Sequence, residues 1–486
     1  MFYKIRKIYL CLIVIYAIIR EVVPLNFLIS NQYVSLTVLL LGFALVVWDL
    51  FCDKNILKTK NIVWLFVFLL IYIVSSILNF KYGYFDNFKT IGILFIFFFT
   101  LYSYGNVNNS DSFENDLVVV SIIYVLIMGV FLLLGLLMYI FDIGYIVEIY
   151  DVSDQGFSSG LSRLWGVFAE ANCAAVYSSV TMVLSIWLYR KTVKKYFRII
   201  LVIDIVISYL FMVLALSRTA QLVAAICVFW IAFCILWFKT TSFSKVKRLV
   251  VLIFIPAIFA TAIFGSVKIT EKILPYVKYG IQLAPKYENV QMKIHRGFDF
   301  IYTDVGGINI LVGMSPPNEV IDTPEYPKEP PKVVVLDRPD DNGNDVSHGR
   351  LDRWEQSLQI YKTAPIFGVT ARNVNSYARE NCPNNIFAKY NINVHNSYLE
   401  VLVGTGAIGM LVFLIFFVLS IIAVVKVIFS KYSLTNILLS SAMILVATAG
   451  FFHTDLFFIF RLGGVILWMI LGYFALQSGR LEKKEN

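Results

Sequence analysis

Residues 395–430 read HNSYLEVLVGTGAIGMLVFLIFFVLSIIAVVKVIFS. A histidine and a cluster of polar residues pass directly into an apolar run that continues beyond residue 425. About 30 Å of hydrocarbon needs about 20 residues of helix, so the run from 404 to 430 reads as a transmembrane span with His395 at its water–lipid boundary. Working outward, the same reading gives eleven further spans. They fall near 8–28, 33–52, 62–80, 88–105, 117–141, 166–188, 197–216, 219–238 and 248–267 before it, and 434–452 and 459–477 after it. The 486-residue chain is 59% hydrophobic and 15% charged, with a mean hydropathy of +0.75. Soluble domains carry about 25% charge. A soluble enzyme, a disordered chain and a nucleic-acid binder are therefore poor readings, despite the net charge of +9.

The position of the charges explains the excess. With the N-terminus on the cytoplasmic side, the inner segments hold 20 Lys and Arg, and the short outer segments hold six: Arg20, Lys81, Lys89, Arg163, Arg218 and Arg461. Such a split is a positive-inside signal. Residues 268–395, after the ninth span, then form one large extracytoplasmic loop, with 15 basic and 15 acidic residues. The chain divides into spans one to nine (1–267), the loop (268–395), and spans ten to twelve with a short cytoplasmic tail (396–486). The class is an all-α polytopic membrane protein, GT-C-like, in a cytoplasmic (inner) membrane. The basic start of the chain resembles a signal peptide, but no small-residue cleavage site follows, and it reads as a retained first helix.

Within the loop, Leu351, Trp354, Leu358 and Tyr361 recur at helical spacing and predict an amphipathic helix. Pro316-Pro317, Pro330-Pro331 and the polar run Asp337 to Asp345 mark turns. The six cysteines form no disulfide framework, and no CxxC or Cys/His metal spacing appears, so no metal and no cofactor are expected. The glycines of Gly406-x-x-Gly409 predict close approach of the tenth span to a neighbour.

All four histidines, His295, His348, His395 and His453, fall on the outer side. His395 is a candidate general base, since an ordinary imidazole titrates near neutrality. By position alone it reads equally as an interfacial histidine bonded to a carbonyl. Arg218, pinched between two spans, is costly unless it pairs or faces an aqueous cavity. Arg163 and Arg350 lie close to the membrane surface, where guanidinium groups would grip a pyrophosphate. Arg353, Arg372 and Arg379 read more simply as a solvated face. Asp204 falls within the seventh span with no partner to name. Asp455 sits at an outer turn beside His453 and Arg461.

Four motifs, in order, resemble the O-antigen ligase and O-antigen polymerase superfamily of bacterial envelope polysaccharide enzymes. They are Arg163-Leu164-Trp165-Gly166-Val167-Phe168 leading to Asn172; Ser217-Arg218-Thr219; Gly349-Arg350-Leu351-Asp352-Arg353-Trp354 followed by Ala364-Pro365-Ile366-Phe367-Gly368; and His395-Asn396-Ser397-Tyr398-Leu399 ending in Gly406-x-x-Gly409. The resemblance covers about Arg163 to the twelfth span. It implies that His395 is the catalytic base and that Arg218 and Arg350 bind the lipid pyrophosphate, with Arg163, Asn172, Arg353, Asn396 and Asp455 as further substrate-binding positions. The chain departs from the family in having Glu170-Ala171-Asn172 where an Asn-Pro-Asn or Asp-Pro-Asn is common, and Gly404 where an acid is common.

The expectation is a polysaccharide polymerase. It would move a glycan from polyprenyl pyrophosphate to a lipid-linked repeat unit, with inversion and without a metal. Its partners would be lipid-linked oligosaccharides, the bilayer, and the flippase and chain-length regulator of the same pathway, with no nucleic acid. A ligase acting on a lipid or protein acceptor is the alternative. A flippase or solute transporter fits less well, because charge is scarce in the spans and the loop is large.

Overall fold

The computed structural model describes residues 2–25, 32–52, 54–107, 110–147, 153–156, 163–284, 290–291, 293, 310–311 and 349–485. Among these, nine helices are long and apolar enough to cross a membrane. Two shorter apolar helices, Ile62–Leu78 and Leu434–Ala449, and the first helix, Phe2–Glu21, complete twelve that alternate between two ends of a bundle. In chain order these are α1 (Phe2–Glu21), α2 (Gln32–Cys52), α3 (Ile62–Leu78), α4 (Phe80–Tyr102), α5 (Ser110–Ile140), α6 (Ala171–Lys191), α7 (Lys195–Leu214), α8 (Arg218–Lys239) and α9 (Lys245–Gln282). Three short helices follow: α10 (Arg350–Thr363), α11 (Val374–Asn381) and α12 (Ile386–Lys389). Then come α13 (Ser397–Ser430), α14 (Leu434–Ala449) and α15 (Leu462–Glu485).

Helices are the stable answer for these sequences because an apolar run in hydrocarbon must satisfy its own backbone groups. Sequence composition then sorts centre from periphery. Helix α15 is mostly buried, as is α6, whereas α2 and α9 expose Leu40, Phe43, Trp48, Phe254 and Ile258 outward, as lipid-facing surfaces do. An aromatic cluster fills the centre. Trp468 lies 4.8 Å from Phe98 and 5.7 Å from Phe416, and Phe413 lies 5.0 Å from Phe457, ring centroid to ring centroid. In hydrocarbon there is no water to expel, so these rings stabilise the bundle through van der Waals packing and ring geometry, about 0.5–1.5 kcal/mol per aromatic pair.

One end carries the basic residues. There Lys7 pairs with Asp116 at 3.0 Å, Lys60 with Glu482 at 2.5 Å, and Lys191 with Glu114. The opposite end gathers the end of α1, the starts of α6 and α13, the turn between α7 and α8, and helices α10 to α12.

Several expectations need correction. Leu351 and Leu358 are exposed, and Ser357 and Ile360 form the buried face of α10. Helix α9 does not stop at 267 but continues to Gln282, with Pro256 and Pro275 inside it. Gly406 abuts a loop, at Ile366 and Phe367, whereas Gly409 faces Ile71 of α3, the close approach to a neighbouring span that the motif predicts. Asp204 has a partner: Ser185 Oγ donates to its Oδ2 at 2.5 Å. A three-stranded antiparallel sheet joins Gly144–Val147 to Ser153–Gly156 on one side and Ile310–Leu311 on the other, with Val147 opposite Ser153 and Ile146 opposite Leu311. His295, His348 and the run Asp337 to Asp345 lie outside the described residues.

Helices α10 to α12 share a core of Ile360, Val369, Val374, Ala378 and Phe387 that docks on Val403 of α13. The docking is a backbone splice. Helix α13 breaks at Gly406 (φ 67°, ψ −171°), and the freed groups are taken up by residues 365–370. Ala407 N donates to Pro365 O (2.8 Å), Val369 N to Val403 O (2.9 Å) and Thr370 N to Gly404 O (3.0 Å). Broken helices survive at membrane depth only when protein satisfies the exposed backbone, which is what this segment does.

Candidate functional site

The site lies at the end opposite the lysine-rich surface. Residues 163–170 run extended beside the end of α1. Val23 N donates to Val167 O at 2.9 Å, Ala169 N to Glu21 O at 3.0 Å, and Val22 bridges Phe168. This strand-like segment needs Gly166 (φ 61°), where a Cβ would meet Gly135 Cα at 3.1 Å. It sets Glu170 at the N-terminus of α6. Arg163 Nη2 donates to Asn172 Oδ1 at 3.1 Å and stacks over Trp165, so two of the expected positions meet each other.

The connection between α14 and α15 supplies His453, Asp455 and Arg461. Its position is fixed by the start of α13: Ser397 Oγ donates to His453 O at 2.7 Å, and Ser397 N donates to Gly450 O at 2.8 Å. His453 Nδ1 lies 3.3 Å from Glu170 Oε1 and 3.5 Å from Cys173 Sγ. Arg461 Nη1 lies 3.2 Å from Glu21 Oε2 and 3.8 Å from Glu170 Oε2. Asp455 is buried and accepts from Tyr177 Oη at 2.9 Å. Burial alone would raise the Glu170 carboxyl. The His453 hydrogen bond and the Arg461 guanidinium reverse this and hold it well below the usual carboxylate range. The Glu21 carboxylate first, against an opposing effect of burial, keeps Arg461 firmly charged.

His395 stands two residues before α13 in a left-handed backbone conformation (φ 53°), which is costly for a residue with a Cβ and marks a position held by its surroundings. Burial pushes its pKa down to about 4; Glu170 opposes this, while Arg353, His453 and Arg350 add to it. The imidazole is therefore neutral at pH 7, with a lone pair available. Asn396 spends its Oδ1 on the helix cap, accepting from Tyr398 N and Leu399 N at 3.0 Å each. Arg350 opens α10 and stacks over Phe452 at 5.6 Å. Burial lowers the pKa of both Arg350 and Arg353, yet guanidinium groups remain charged at neutral pH. Arg218 is exposed at the first turn of α8, at the same end, behind the Ser217 cap.

The structure thus brings His395, Asn396, Arg350, Arg353 and Asp455 toward one charged cluster, and pairs Arg163 with Asn172. Sequence reasoning missed Glu21, Glu170, Cys173 and Arg461 as members. The available signal was charge at helix ends inside apolar sequence. It also passed over Glu400, buried in the first turn of α13 within reach of the Arg372 charge.

Residues 203–414 match the family model described as O-antigen ligase. The match runs from α7 through the break in α13 and includes Arg218, Arg350, Arg353 and His395. No curated protein matches the chain.

Proposed function

We propose that this chain, whose residues 203–414 match the O-antigen ligase family model, is a polysaccharide polymerase of lipid-linked repeat units. It would act on the outer face of the cytoplasmic membrane, with both termini in the cytoplasm. The observation that carries the reading is the placement of His395, held in a left-handed backbone two residues before α13, within reach of the Arg350 and Arg353 charges at the edge of a multi-pass bundle. The reaction asks for that arrangement. Polyprenyl pyrophosphate is a stable leaving group, so departure needs cations that meet its developing charge rather than an acid. Arg350, with Arg218 on the approach, supplies fixed positive charge without a divalent ion.

The nucleophile is a hydroxyl at the non-reducing end of the incoming repeat unit. His395 accepts its proton as the oxygen attacks the anomeric carbon. The glycosyl–oxygen bond to pyrophosphate breaks from the opposite face, and the configuration inverts. General-base assistance of this kind contributes about 10²–10⁴-fold. The break in α13 and the docked helices α10 to α12 hold His395 and Arg350 on one rigid body, which sets the orientation of base against leaving group. The flippase and chain-length regulator of the same pathway are its expected partners.

A ligase reading shares every step but the acceptor, and the description of the matched family favours keeping it beside the first. Purified protein supplied with lipid-linked repeat units alone separates them. A ladder of longer lipid-linked glycans supports the polymerase. No elongation until a lipid or protein acceptor is added supports the ligase, and unchanged substrate with any acceptor counts against both.

A further inference from the structure

Two chain segments 280 residues apart place three metal-ligating side chains within reach of one point. Cys173 Sγ lies 3.3 Å from Glu170 Oε2 and 3.5 Å from His453 Nδ1, and His453 Nδ1 lies 3.3 Å from Glu170 Oε1. Ligands in a tetrahedral zinc site, bonded at about 2.0–2.3 Å, stand about 3.4 Å from one another. Taking one ligand atom from each residue, the three lie within 4.8 Å of one another, so a small adjustment of the Glu170 carboxylate brings them to that size. Cys173 and His453 are buried, and Glu170 is only partly exposed. No sequence spacing announces the set, because the histidine comes from the connection after α14 and the other two from the first turn of α6.

We propose that Glu170, Cys173 and His453 bind a thiophilic divalent cation of the zinc type. The donor set, one thiolate, one imidazole and one carboxylate, suits zinc and is poor for magnesium or calcium. The local charge favours a cation as well. Glu21, Glu170 and Asp455 bring three carboxylates together, and Arg461 is the guanidinium that pairs with two of them. Glu170 Oε1 faces His453, and Oε2 lies 3.3 Å from Cys173 Sγ and 3.8 Å from Arg461, an outer partner that orients the carboxylate. Cys173 loses its proton on binding, and that proton leaves to solvent. The fourth position is filled by water.

The role is structural. The ion clips the start of α6 to the α14–α15 connection, and so fixes the platform beside His395. It adds nothing to the displacement chemistry and stands independently of that reading.

The test uses full-length protein purified in detergent and equilibrated with stoichiometric Zn²⁺, then Co²⁺, followed by removal of free metal. The expected result is about one zinc per chain and, in the cobalt form, a sulfur-to-cobalt charge-transfer band in the near ultraviolet. Cys173→Ser should abolish the band, and His453→Gln should reduce metal content to background. The wild-type spectrum needs no variant to fold. Wild-type protein without metal above background, or a cobalt form lacking the thiolate band, would overturn the site. Cys173 and His453 would then both be hydrogen-bond partners of Glu170. Retained metal in a folded Cys173→Ser protein would equally overturn the ligand set.

Discussion

Gly368 and Gly406 interlock: a Cβ on Gly368 would lie 2.6 Å from Gly406 N, and both residues hold positive φ, 68° and 67°. The loop that carries one glycine is spliced into the helix broken at the other. This backbone contact, with the core of Ile360, Val369, Val374, Ala378 and Phe387 seated on Val403, couples helices α10 to α12 to the membrane bundle and hence Arg350 to His395.

Gly406→Ala should therefore be severe. Its φ/ψ combination is essentially reserved for glycine, at about 1–3 kcal/mol for other residues, and the new Cβ would meet Ile366 O at 2.2 Å. The expected outcome is a chain that inserts normally but has lost most transfer activity, with residues 365–371 newly open to limited proteolysis. Gly265→Ala, where an added Cβ has nothing within 4 Å, should cost far less.

The Arg461–Glu21 pair should behave as a buried ion pair. Arg461→Met leaves the Glu21 carboxylate buried without its cation, at a cost on the order of 3 kcal/mol. Adding Glu21→Gln should recover part of that loss, because the unpaired charge is removed. A double-mutant cycle read by thermal unfolding in detergent checks this. Additive single effects would contradict the coupling.

The pH dependence follows from His395. Its folded pKa of about 4 lies below the ordinary value of 6.5, so it stays neutral while the unfolded chain takes up a proton. Stability from this residue is present above pH 6.5 and is lost as the pH falls from 6.5 toward 4. Catalytically, the acid limb of kcat/KM should sit below that of an ordinary histidine. Bound pyrophosphate offsets the Arg350 and Arg353 charges, so the acid limb of kcat should lie at higher pH than that of kcat/KM. The groups acting on His395 are Glu170, His453, Arg350 and Arg353, and Glu170→Gln should shift the kcat/KM limb lower.

Arg350→Lys should not rescue function. A lysine keeps the charge but loses the planar donor fork and the contact over Phe452. The expected result is at least about a tenfold fall in kcat for both Lys and Ala variants, measured with lipid-linked substrate. Wild-type rates with lysine would reduce Arg350 to a point charge.

The spans were legible because hydrocarbon thickness imposes a single length scale, and basic residues mark alternate ends. From its place at the loop–span boundary His395 read equally as a base or an interfacial histidine, and Arg353 read as a solvated face; the four-motif resemblance, rather than position, singled out His395 and Arg350. Glu170 and Arg461 were not legible, since each looks like an isolated charge at a helix end until folding brings α6 beside the α14–α15 connection. The buried face of α10 was misread because Leu351 and Leu358 supplied the periodicity while the shorter Ser357 and Ile360 faced the core. The break at Gly406 was legible as glycine but not as conformation, because the partner that requires it, Gly368, is 38 residues away.

The most direct test is single-turnover release of polyprenyl pyrophosphate by reconstituted wild-type protein and His395→Ala, with membrane insertion and thermal stability matched. The account predicts a loss of about 10²–10⁴-fold in the variant, with substrate binding retained. Release at the wild-type rate by His395→Ala would contradict the assignment of the base and the mechanism built on it.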